Sequence, residues 1–420
     1  MPLLRPRPNG PTRPTRRPAA LVAGALLSLS ILGGCGGGGG GGAAVGPTPT
    51  PTTPEQAALA RVQLGERLFN DRNLSGSGRM SCATCHDPAF AHGPSNAQPV
   101  QVGGAFETEF GLRAAPSLRY LDLVPAFSRG DGSLGSLRGG LMSDGRAASL
   151  EAQARLPFLN PLEMDNGSVA VLAGKLRRAA YAPLFVQVFG ETADDELKLT
   201  QATQALAAFQ RESAQFHPFD SKYDRVLLSQ AQLTPPEQRG LQLFRDPVKG
   251  NCMSCHDIVT QSSVQPRFTN FGYAVLGVPR HPDLPANRDP AYFDQGLCGP
   301  QRQDLATPAF CGAFRTPNLR NVARRPVFFH NGRFNSLMTV LEFYNTRDSD
   351  PARWYPTVNG VVQRFDDLPV ALRGNVNTQA PFGSATPRMT AAELGDLLCF
   401  LETLSDGYQP GTPAREGCRP

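Results

Sequence analysis

The stretch Cys82-Ala83-Thr84-Cys85-His86 has two cysteines and a histidine in the spacing of a c-type haem attachment site. In such a site the two thiols bind the porphyrin covalently and the histidine ligates its iron. The same pattern returns at Cys252-Met253-Ser254-Cys255-His256. A redox dithiol or half of a zinc site could explain one copy, but two copies in one chain predict two covalently bound haems.

A similar segment precedes each motif, which indicates an internal duplication. Gly65-Glu66-Arg67-Leu68-Phe69-Asn70-Asp71 precedes the first motif, and Gly240-Leu241-Gln242-Leu243-Phe244-Arg245-Asp246 precedes the second. We therefore predict a mainly α fold with two cytochrome c-like helical domains, residues 55–225 and 226–420, each holding one haem. The 43 glycines and 39 prolines predict long irregular loops between the helices.

The N-terminal residues are typical of an export signal. Residues 1–34 contain five arginines, no acidic residue, and an apolar run too short to span a bilayer. Cys35 follows Leu32-Gly33-Gly34, which resembles a bacterial lipobox, so residues 1–34 are predicted to be a lipoprotein signal and Cys35 the lipidated N-terminus. Ordinary cleavage with release is the alternative. Residues 35–54 read as a Gly/Pro/Thr-rich tether.

This signal places the mature chain on the periplasmic side of the cell envelope, anchored to membrane by lipid. The formal charge of +5 comes from the five signal arginines, since removing them leaves 36 basic and 36 acidic residues. A neutral mature chain gives no reason to expect nucleic-acid binding.

Four cysteines remain outside these motifs, an even number in an exported protein. We predict two disulfides between the pairs nearest in sequence, Cys298–Cys311 and Cys399–Cys418. Four buried free thiols are the alternative.

Apolar periodicity predicts several helices. One begins at residue 55 with Leu59 on its buried face, and a short helical turn at residues 150–154 is ended by Pro157. The others span residues 169–178, 197–211, 337–344 and 391–404, with a further helix starting after the N-cap Thr234.

Further motifs resemble the bacterial di-haem cytochrome c peroxidase family, and its MauG-like branch most closely. The resemblance covers about residues 55–407. The matching residues are Asp144-Gly145-Arg146, Gln153, Glu163-Met164, Thr316-Pro317-Asn318-Leu319-Arg320-Asn321 and His330-Asn331-Gly332.

The resemblance implies that the N-terminal haem reacts with peroxide and that Glu163 and Gln153 lie over its open face. A carboxylate there can take a proton from one peroxide oxygen and deliver it to the other. Relatives often carry a removable distal histidine in the region that corresponds to residues 100–105, where this chain has none. His92 is expected to be an ordinary loop histidine, which leaves the first haem five-coordinate without reductive activation.

For the second haem, the resemblance implies that Tyr344 is the sixth iron ligand, where typical peroxidases have methionine. A core tyrosine is the alternative reading, and His330 and Met338 are alternative ligands. A phenolate would favour ferric and higher oxidation states.

Two residues depart from the family pattern. Relatives usually have a tryptophan between the haems where this chain has Ser143. They also bind calcium with an asparagine where this chain has Ala114, so calcium is doubtful.

The sequence thus predicts an oxidoreductase that reduces hydrogen peroxide with electrons from a small redox protein, a cytochrome c or a cupredoxin. The C-terminal haem would relay or store oxidising equivalents. The alternatives are a MauG-like oxidase that modifies a partner protein or substrate, and a non-enzymatic electron carrier.

Overall fold

The computed structural model describes residues 53–258 and 265–419, so the predicted signal, the tether and Cys35 lie outside the described residues. The regular structure is mainly helical, which confirms the predicted fold class. The described helices are α1 (Pro54–Asn70), α2 (Cys82–Cys85), α3 (Leu150–Leu159), α4 (Val169–Arg178), α5 (Ala182–Phe189), α6 (Asp195–Glu212), α7 (Lys222–Leu227), α8 (Pro235–Arg245), α9 (Leu337–Thr346) and α10 (Ala391–Glu402). Among these residues, no helix has the length and apolarity needed to cross a bilayer.

Three antiparallel pairs of very short strands complete the regular structure of the described residues. They are β1 (Val102–Gly103) with β2 (Glu109–Phe110), β3 (Tyr273–Ala274) with β4 (Phe314–Arg315), and β5 (Thr357–Val358) with β6 (Val361–Val362). Long loops connect them, as the glycine and proline content predicts.

Capping residues fix where the main helices begin. Helices α1, α8 and α10 start with capping boxes, in which a threonine and the glutamine or glutamate three residues later bond each other's backbone N–H groups. The side chain of Asp194 caps α6 by accepting from the N–H of Leu197. These local signals agree with the sequence-based helix starts to within a few residues.

Two expectations about helices were wrong. Helix α3 does not end before Pro157 but continues through it to Leu159. Proline removes only one helical hydrogen bond, and burial of Phe158 in the N-terminal core holds the last turn in place. Leu59 is 59% exposed, and α1 buries Leu64 and Leu68 instead.

In the N-terminal half, the core forms where α1 packs across α6. A Cβ at Gly65 would lie only 2.1 Å from the carbonyl oxygen of Ala205, so the two helices cross in backbone contact. The inward face of α6 carries the residues predicted from periodicity, and all of them are buried: Leu199, Ala202, Leu206 and Phe209. Phe69 packs edge-on against Phe209 beside this crossing.

The C-terminal half repeats this arrangement with α8 and α10. A Cβ at Gly240 would lie 2.0 Å from the carbonyl oxygen of Asp396, and Phe244 packs edge-on against Phe400. The glycine and phenylalanine shared by the two lead-in segments are therefore the helix-crossing residues of the two halves. The internal duplication is therefore visible in the structure as well as in the sequence.

Replacing Gly240 with alanine should destabilise the protein by about 1–3 kcal/mol, because the added methyl group overpacks the crossing of α8 and α10. Thermal unfolding of the holoprotein measures this loss. Gly395→Ala is the matched control, since it lies in α10 with nothing within 4 Å of the added Cβ. A Gly240→Ala protein as stable as wild type would show that the two backbones are not in contact.

A smaller apolar cluster is built from loops of both halves, including Leu137, Tyr273 and Leu297. The Cys298–Cys311 disulfide lies beside it, and a second disulfide joins Cys399 of α10 to Cys418. Both are the pairs expected from the sequence. The described residues from Thr53 onward form one compact unit, and the predicted domain boundary at residue 225 remains a prediction.

Candidate haem and peroxide site

A cavity of about 540 Å³ contains both Cys-x-x-Cys-His motifs in its wall. The N-terminal half contributes Cys82, Cys85 and His86 together with residues of α3, and the C-terminal half contributes Cys252, Cys255 and His256 together with residues of α9. The two motifs, 170 positions apart in the chain, therefore open into a continuous space.

Backbone carbonyls orient both motif histidines. The Nδ1 of His86 lies 3.0 Å from the carbonyl oxygen of Pro116, and the Nδ1 of His256 lies 2.9 Å from that of Phe268. A carbonyl can only accept, so each Nδ1 donates and each Nε2 is left with a free lone pair. Burial lowers the pKa of both histidines to about 4. Neutral imidazoles held in this way are suited to ligate a metal.

His92 is not the ordinary loop residue expected from the sequence. It is fully buried, its Nε2 lies 3.1 Å from Oε1 of Gln215, and its ring packs 4.0 Å from that of Phe216. Its carbonyl oxygen lies 3.3 Å from Nδ1 of His86. His92 therefore supports the proximal side of the first motif, which agrees with the expectation that it does not reach the opposite face.

Two arginines face the cavity without a carboxylate partner among the described residues. Arg325 donates to the carbonyl oxygen of Ala115 at 3.3 Å, and Arg315 to that of Met142 at 3.4 Å. Burial lowers the pKa of Arg325 to about 10 and also lowers that of Arg315. Both arginines are half-buried, and a cation without a counterion in such a poorly solvated place is costly, so the cavity wall is suited to an anionic occupant.

Glu163 lies in the cavity wall of the N-terminal half. Burial raises the pKa of its carboxyl above the usual value, and the Asn160 side chain and the charge of Arg146 offset only part of that increase. A carboxyl with a raised pKa holds its proton to a higher pH than an ordinary glutamate does, and such a group can both accept and donate a proton in catalysis.

Gln153 also lines the cavity, on helix α3. The side chain that lowers the pKa of the Glu163 carboxyl, against the effect of burial, is, however, that of Asn160. Sequence reasoning missed Asn160, which lies three positions before Glu163.

The segment from Pro99 to Gly104 is packed on both sides, and it overlaps residues 100–105, the region where the resemblance implies a removable histidine in relatives. A Cβ at Gly103 would lie 2.3 Å from the carbonyl oxygen of Leu162. The N–H of Gly104 donates to the backbone carbonyl oxygen of Glu163 at 2.8 Å. On the other side, a Cβ at Gly332 would lie 2.2 Å from the carbonyl oxygen of Pro99. This segment therefore supports the backbone of Glu163 directly.

Of the three candidates for the sixth ligand of the second haem, Tyr344 is the best placed. It lines the cavity with its ring stacked on Phe329 and Phe382, and the nearby sulfurs of Cys252 and Cys255 add to burial in raising the pKa of its hydroxyl.

The other two candidates have other partners. His330 reaches the cavity, but its Nε2 lies 3.3 Å from Oδ2 of Asp367 and its ring stacks on Phe314. Met338 packs against the C-terminal core.

Comparisons with known proteins agree with this geometry. A family model described as di-haem cytochrome c peroxidase matches residues 59–232. The methylamine utilization protein MauG of Paracoccus denitrificans (strain Pd 1222) is 36% identical over 381 residues, which cover 85% of this chain and 91% of that protein. The chain belongs to the MauG-like di-haem cytochrome c peroxidase family.

Two further relatives show the range of this family. The crystal structure of the diheme peroxidase BthA from Burkholderia thailandensis E264 matches with a TM-score of 0.75 and 41% identity, covering 86% of this chain and 90% of that chain. Cytochrome-c peroxidase IdrP1 of Denitromonas iodatirespirans is 28% identical and covers 82% of this chain and 81% of that protein.

As a member of this family, the protein is an oxidoreductase with two c-type haems. The cavity fits them: the motif cysteines could form the thioethers, His86 and His256 could ligate the irons, and the half-buried cations Arg315 and Arg325 could pair with haem propionates.

The structure also describes Ser143 and Ala114, the two positions where the sequence analysis expects a departure from the family pattern. Ser143 accepts a hydrogen bond from Arg113 at 3.1 Å, and its carbonyl accepts from the N–H of Arg315 at 2.7 Å. The N–H of Ala114 donates to the carbonyl of His330. Within the described ranges, no cluster of three or more His, Cys, Asp or Glu side chains could hold a metal ion.

Replacing Tyr344 with phenylalanine tests the second haem's sixth ligand. Removing the phenol oxygen opens that coordination position, so the low-spin electron paramagnetic resonance (EPR) signal of the resting second haem should become high-spin. Tyr355→Phe is the matched control, because its hydroxyl donates to the carbonyl of Gly277 in the same half. An unchanged spectrum in Tyr344→Phe would make Tyr344 a core tyrosine and not a ligand.

Proposed function

We propose that this protein is a peroxidase that reduces hydrogen peroxide at the N-terminal haem, held by Cys82, Cys85 and His86. The observation that carries this proposal is the half-buried carboxyl of Glu163, whose pKa is raised by burial, in the wall of the cavity that contains His86. Such a group has a clear use in cleavage of an O–O bond and little use in simple electron transfer.

The chain's own contribution is proton handling. The haem, when bound, supplies the electrons that break the O–O bond. The ionised carboxylate of Glu163 takes the proton from the peroxide oxygen that faces the haem, and the carboxyl then donates it to the departing oxygen, which leaves as water. Asn160 and Gln153 orient the carboxyl and the peroxide for these two transfers.

Cys252, Cys255 and His256 would hold the second haem and Tyr344 would ligate it, and that haem would relay or store oxidising equivalents. A small redox protein, a c-type cytochrome or a cupredoxin, supplies the electrons. This assignment is supported by the continuous cavity that joins the two motifs.

A second candidate function is oxidation of a partner protein, as the resemblance to MauG suggests. Tyr344 in the cavity wall favours it, since a phenolate ligand stabilises the higher oxidation states of iron. A purified protein that turns over peroxide with a reduced cytochrome alone would favour the peroxidase.

EPR of the resting ferric protein, before and after stoichiometric peroxide, tests the proposed function. We expect one high-spin and one low-spin signal, and loss of the high-spin signal once peroxide is added. Two low-spin signals that peroxide leaves unchanged would contradict an open catalytic haem and favour the electron carrier.

We also propose that the chain is exported and anchored to the cell envelope through a lipid on Cys35, which is supported by the lipobox-like residues before it. The mass of the mature N-terminal peptide tests this. A peptide that begins at another residue, or an unmodified Cys35, would contradict the anchor.

A further inference from the structure

The cavity wall contains few side chains that can lose an electron. In the described part of the chain, the tyrosines and tryptophans that line the cavity are Tyr120 and Tyr344. Tyr344 is assigned above as an iron ligand. Tyr120 has no role in the proposed chemistry so far, and Ser143 occupies the position where relatives have a tryptophan.

Tyr120 is connected to the supports of both motif histidines. On the N-terminal side, it follows by four positions the Pro116 carbonyl that holds His86. On the C-terminal side, the guanidinium of Arg320 lies 5.1 Å from the Tyr120 ring and 6.0 Å from the ring of Phe268, the residue whose carbonyl holds His256. Tyr120 therefore lies where the two haem-bearing halves meet.

The hydroxyl of Tyr120 has a proton acceptor in place. It donates to Oδ1 of Asp406 at 2.6 Å, and both residues are 2% exposed. Asp406 follows α10 in the C-terminal half, so this hydrogen bond crosses from one half to the other. A tyrosine in an apolar interior can be oxidised only if its proton leaves with the electron, since a buried phenol radical cation would be an uncompensated charge.

Neighbouring charges are balanced before such a transfer. Arg320 is neutralised by Asp224 through two hydrogen bonds of 2.7 and 2.8 Å. Asp406 also accepts from Arg119 at 2.7 Å and from Asn321 at 2.5 Å. Moving the phenol proton to Asp406 keeps it within this hydrogen-bonded group.

The backbone at Tyr120 is held in a conformation that its side chain does not favour. Its φ is +64°, in the left-handed region, and its N–H donates to the carbonyl of Phe216 at 2.8 Å. Such strain persists when the surrounding structure fixes it. Here it directs the ring between the halves.

We propose that Tyr120 is an electron relay between the two haems and that Asp406 is its proton acceptor. The oxidising equivalent left at the first haem by peroxide takes an electron from Tyr120 while the phenol proton moves to Oδ1 of Asp406. An electron from the second haem then reduces the neutral tyrosyl radical, and the proton returns from Asp406 to the phenol oxygen. The inference rests on the proposed function, because peroxide supplies the oxidant.

The test compares wild-type, Tyr120→Phe and Tyr273→Phe holoproteins. Tyr273 is a matched control, because it is also buried and its hydroxyl donates to the carbonyl of Gly139, but it does not line the cavity. The ferric proteins are mixed with stoichiometric peroxide and freeze-quenched for EPR. In parallel, proteins with the second haem reduced are mixed with peroxide in H₂O and in D₂O, and oxidation of that haem is followed optically.

We expect wild type and Tyr273→Phe to form an organic radical whose EPR line narrows when the protein contains ring-deuterated tyrosine. Tyr120→Phe should lose that signal, and its second haem should be oxidised about tenfold more slowly. Wild type should also react more slowly in D₂O, an effect that Tyr120→Phe should lose. A purely structural role for Tyr120 would change none of these isotope effects.

The possible failures are distinct. If wild type keeps its high-spin signal after peroxide, the proposed function is wrong and the relay is wrong with it. A second outcome is that the high-spin signal disappears in both wild type and Tyr120→Phe. If Tyr120→Phe then also keeps the wild-type radical signal, rate of oxidation of the second haem and D₂O effect, the relay alone is overturned.

Discussion

Replacing Glu163 with glutamine should lower peroxide turnover by about 10²–10⁴-fold, the usual contribution of a positioned acid–base group. Glutamine has nearly the same size as glutamate and remains polar, so the fold and haem content should not change. The missing function is proton transfer to and from peroxide. Steady-state kcat/KM for peroxide, with the haem content measured from the pyridine haemochrome spectrum, checks this result.

The pH dependence identifies the group. Burial raises the pKa of Glu163, and the first proton transfer needs the ionised carboxylate. Wild-type kcat/KM should therefore fall as the pH drops through that raised pKa, above the value of about 4.3 of an ordinary glutamate. In Glu163→Gln, this fall of kcat/KM at low pH should be absent.

Glu151→Gln is the matched control for Glu163→Gln. Glu151 is in α3, close to Gln153 in sequence, but its carboxylate pairs with Arg211 at the surface. The Glu151→Gln protein should keep the peroxide turnover of wild type and its pH profile. Equal losses in the two variants, or full activity in Glu163→Gln, would remove Glu163 from the reaction.

Replacing Asp224 with asparagine should destabilise the protein by about 3–5 kcal/mol, which is a large part of the usual stability of a folded protein. The side chains of Asp224 and Arg320 are both 0% exposed and are joined by two hydrogen bonds. The substitution leaves the guanidinium of Arg320 buried without its counterion. Chemical denaturation at neutral pH measures the loss.

Asp396→Asn provides the comparison for Asp224→Asn. Asp396 makes the same two-bond pairing with Arg239, but the Arg239 side chain is 56% exposed. Water already solvates that cation, so we expect little change in stability. If Asp224→Asn and Asp396→Asn lost similar amounts of stability, burial would not be what decides how much each ion pair contributes.

Asp224 also makes the free energy of unfolding depend on pH in the acid range. Burial alone would raise the pKa of Asp224, but the hydrogen bonds and charge of Arg320 outweigh it and lower the pKa below its usual value. A lowered folded pKa gives stability that is present above the unfolded value of about 3.9 and is lost as the pH falls through the folded value. Asp224→Asn should lose this part of the acid dependence of unfolding.

The sequence predicted the fold class and the two haem sites because both depend on local patterns. Cysteine and histidine spacing needs no tertiary information, and capping boxes such as Thr234 with Glu237 fix helix starts within one turn. The shared glycines Gly65 and Gly240 were visible as a repeat. Their purpose, contact between helix backbones, required the structure.

Long-range placement could not be predicted in the same way. Nothing in the local sequence says that the carbonyl of Pro116 holds His86, that Arg325 faces the cavity, or that Asp406 bonds Tyr120 from the other half. Helix α3 passed through Pro157 because tertiary burial of Phe158 compensates for one missing hydrogen bond. Contacts between distant parts of the chain decide these features, and periodicity carries no information about them.

The packing of the Pro99–Gly104 segment has a consequence for the time course of the reaction. Because Gly103 contacts the Glu163 loop and Gly332 contacts Pro99, this stretch would need to break contacts on two sides before it could swing away. The segment also carries no histidine, so, if the chain is the peroxidase proposed above, a cell exposed to a sudden oxidative burst would meet an enzyme that needs no priming. The first molecules of peroxide should be consumed without a lag, however long the protein has stood without a reductant.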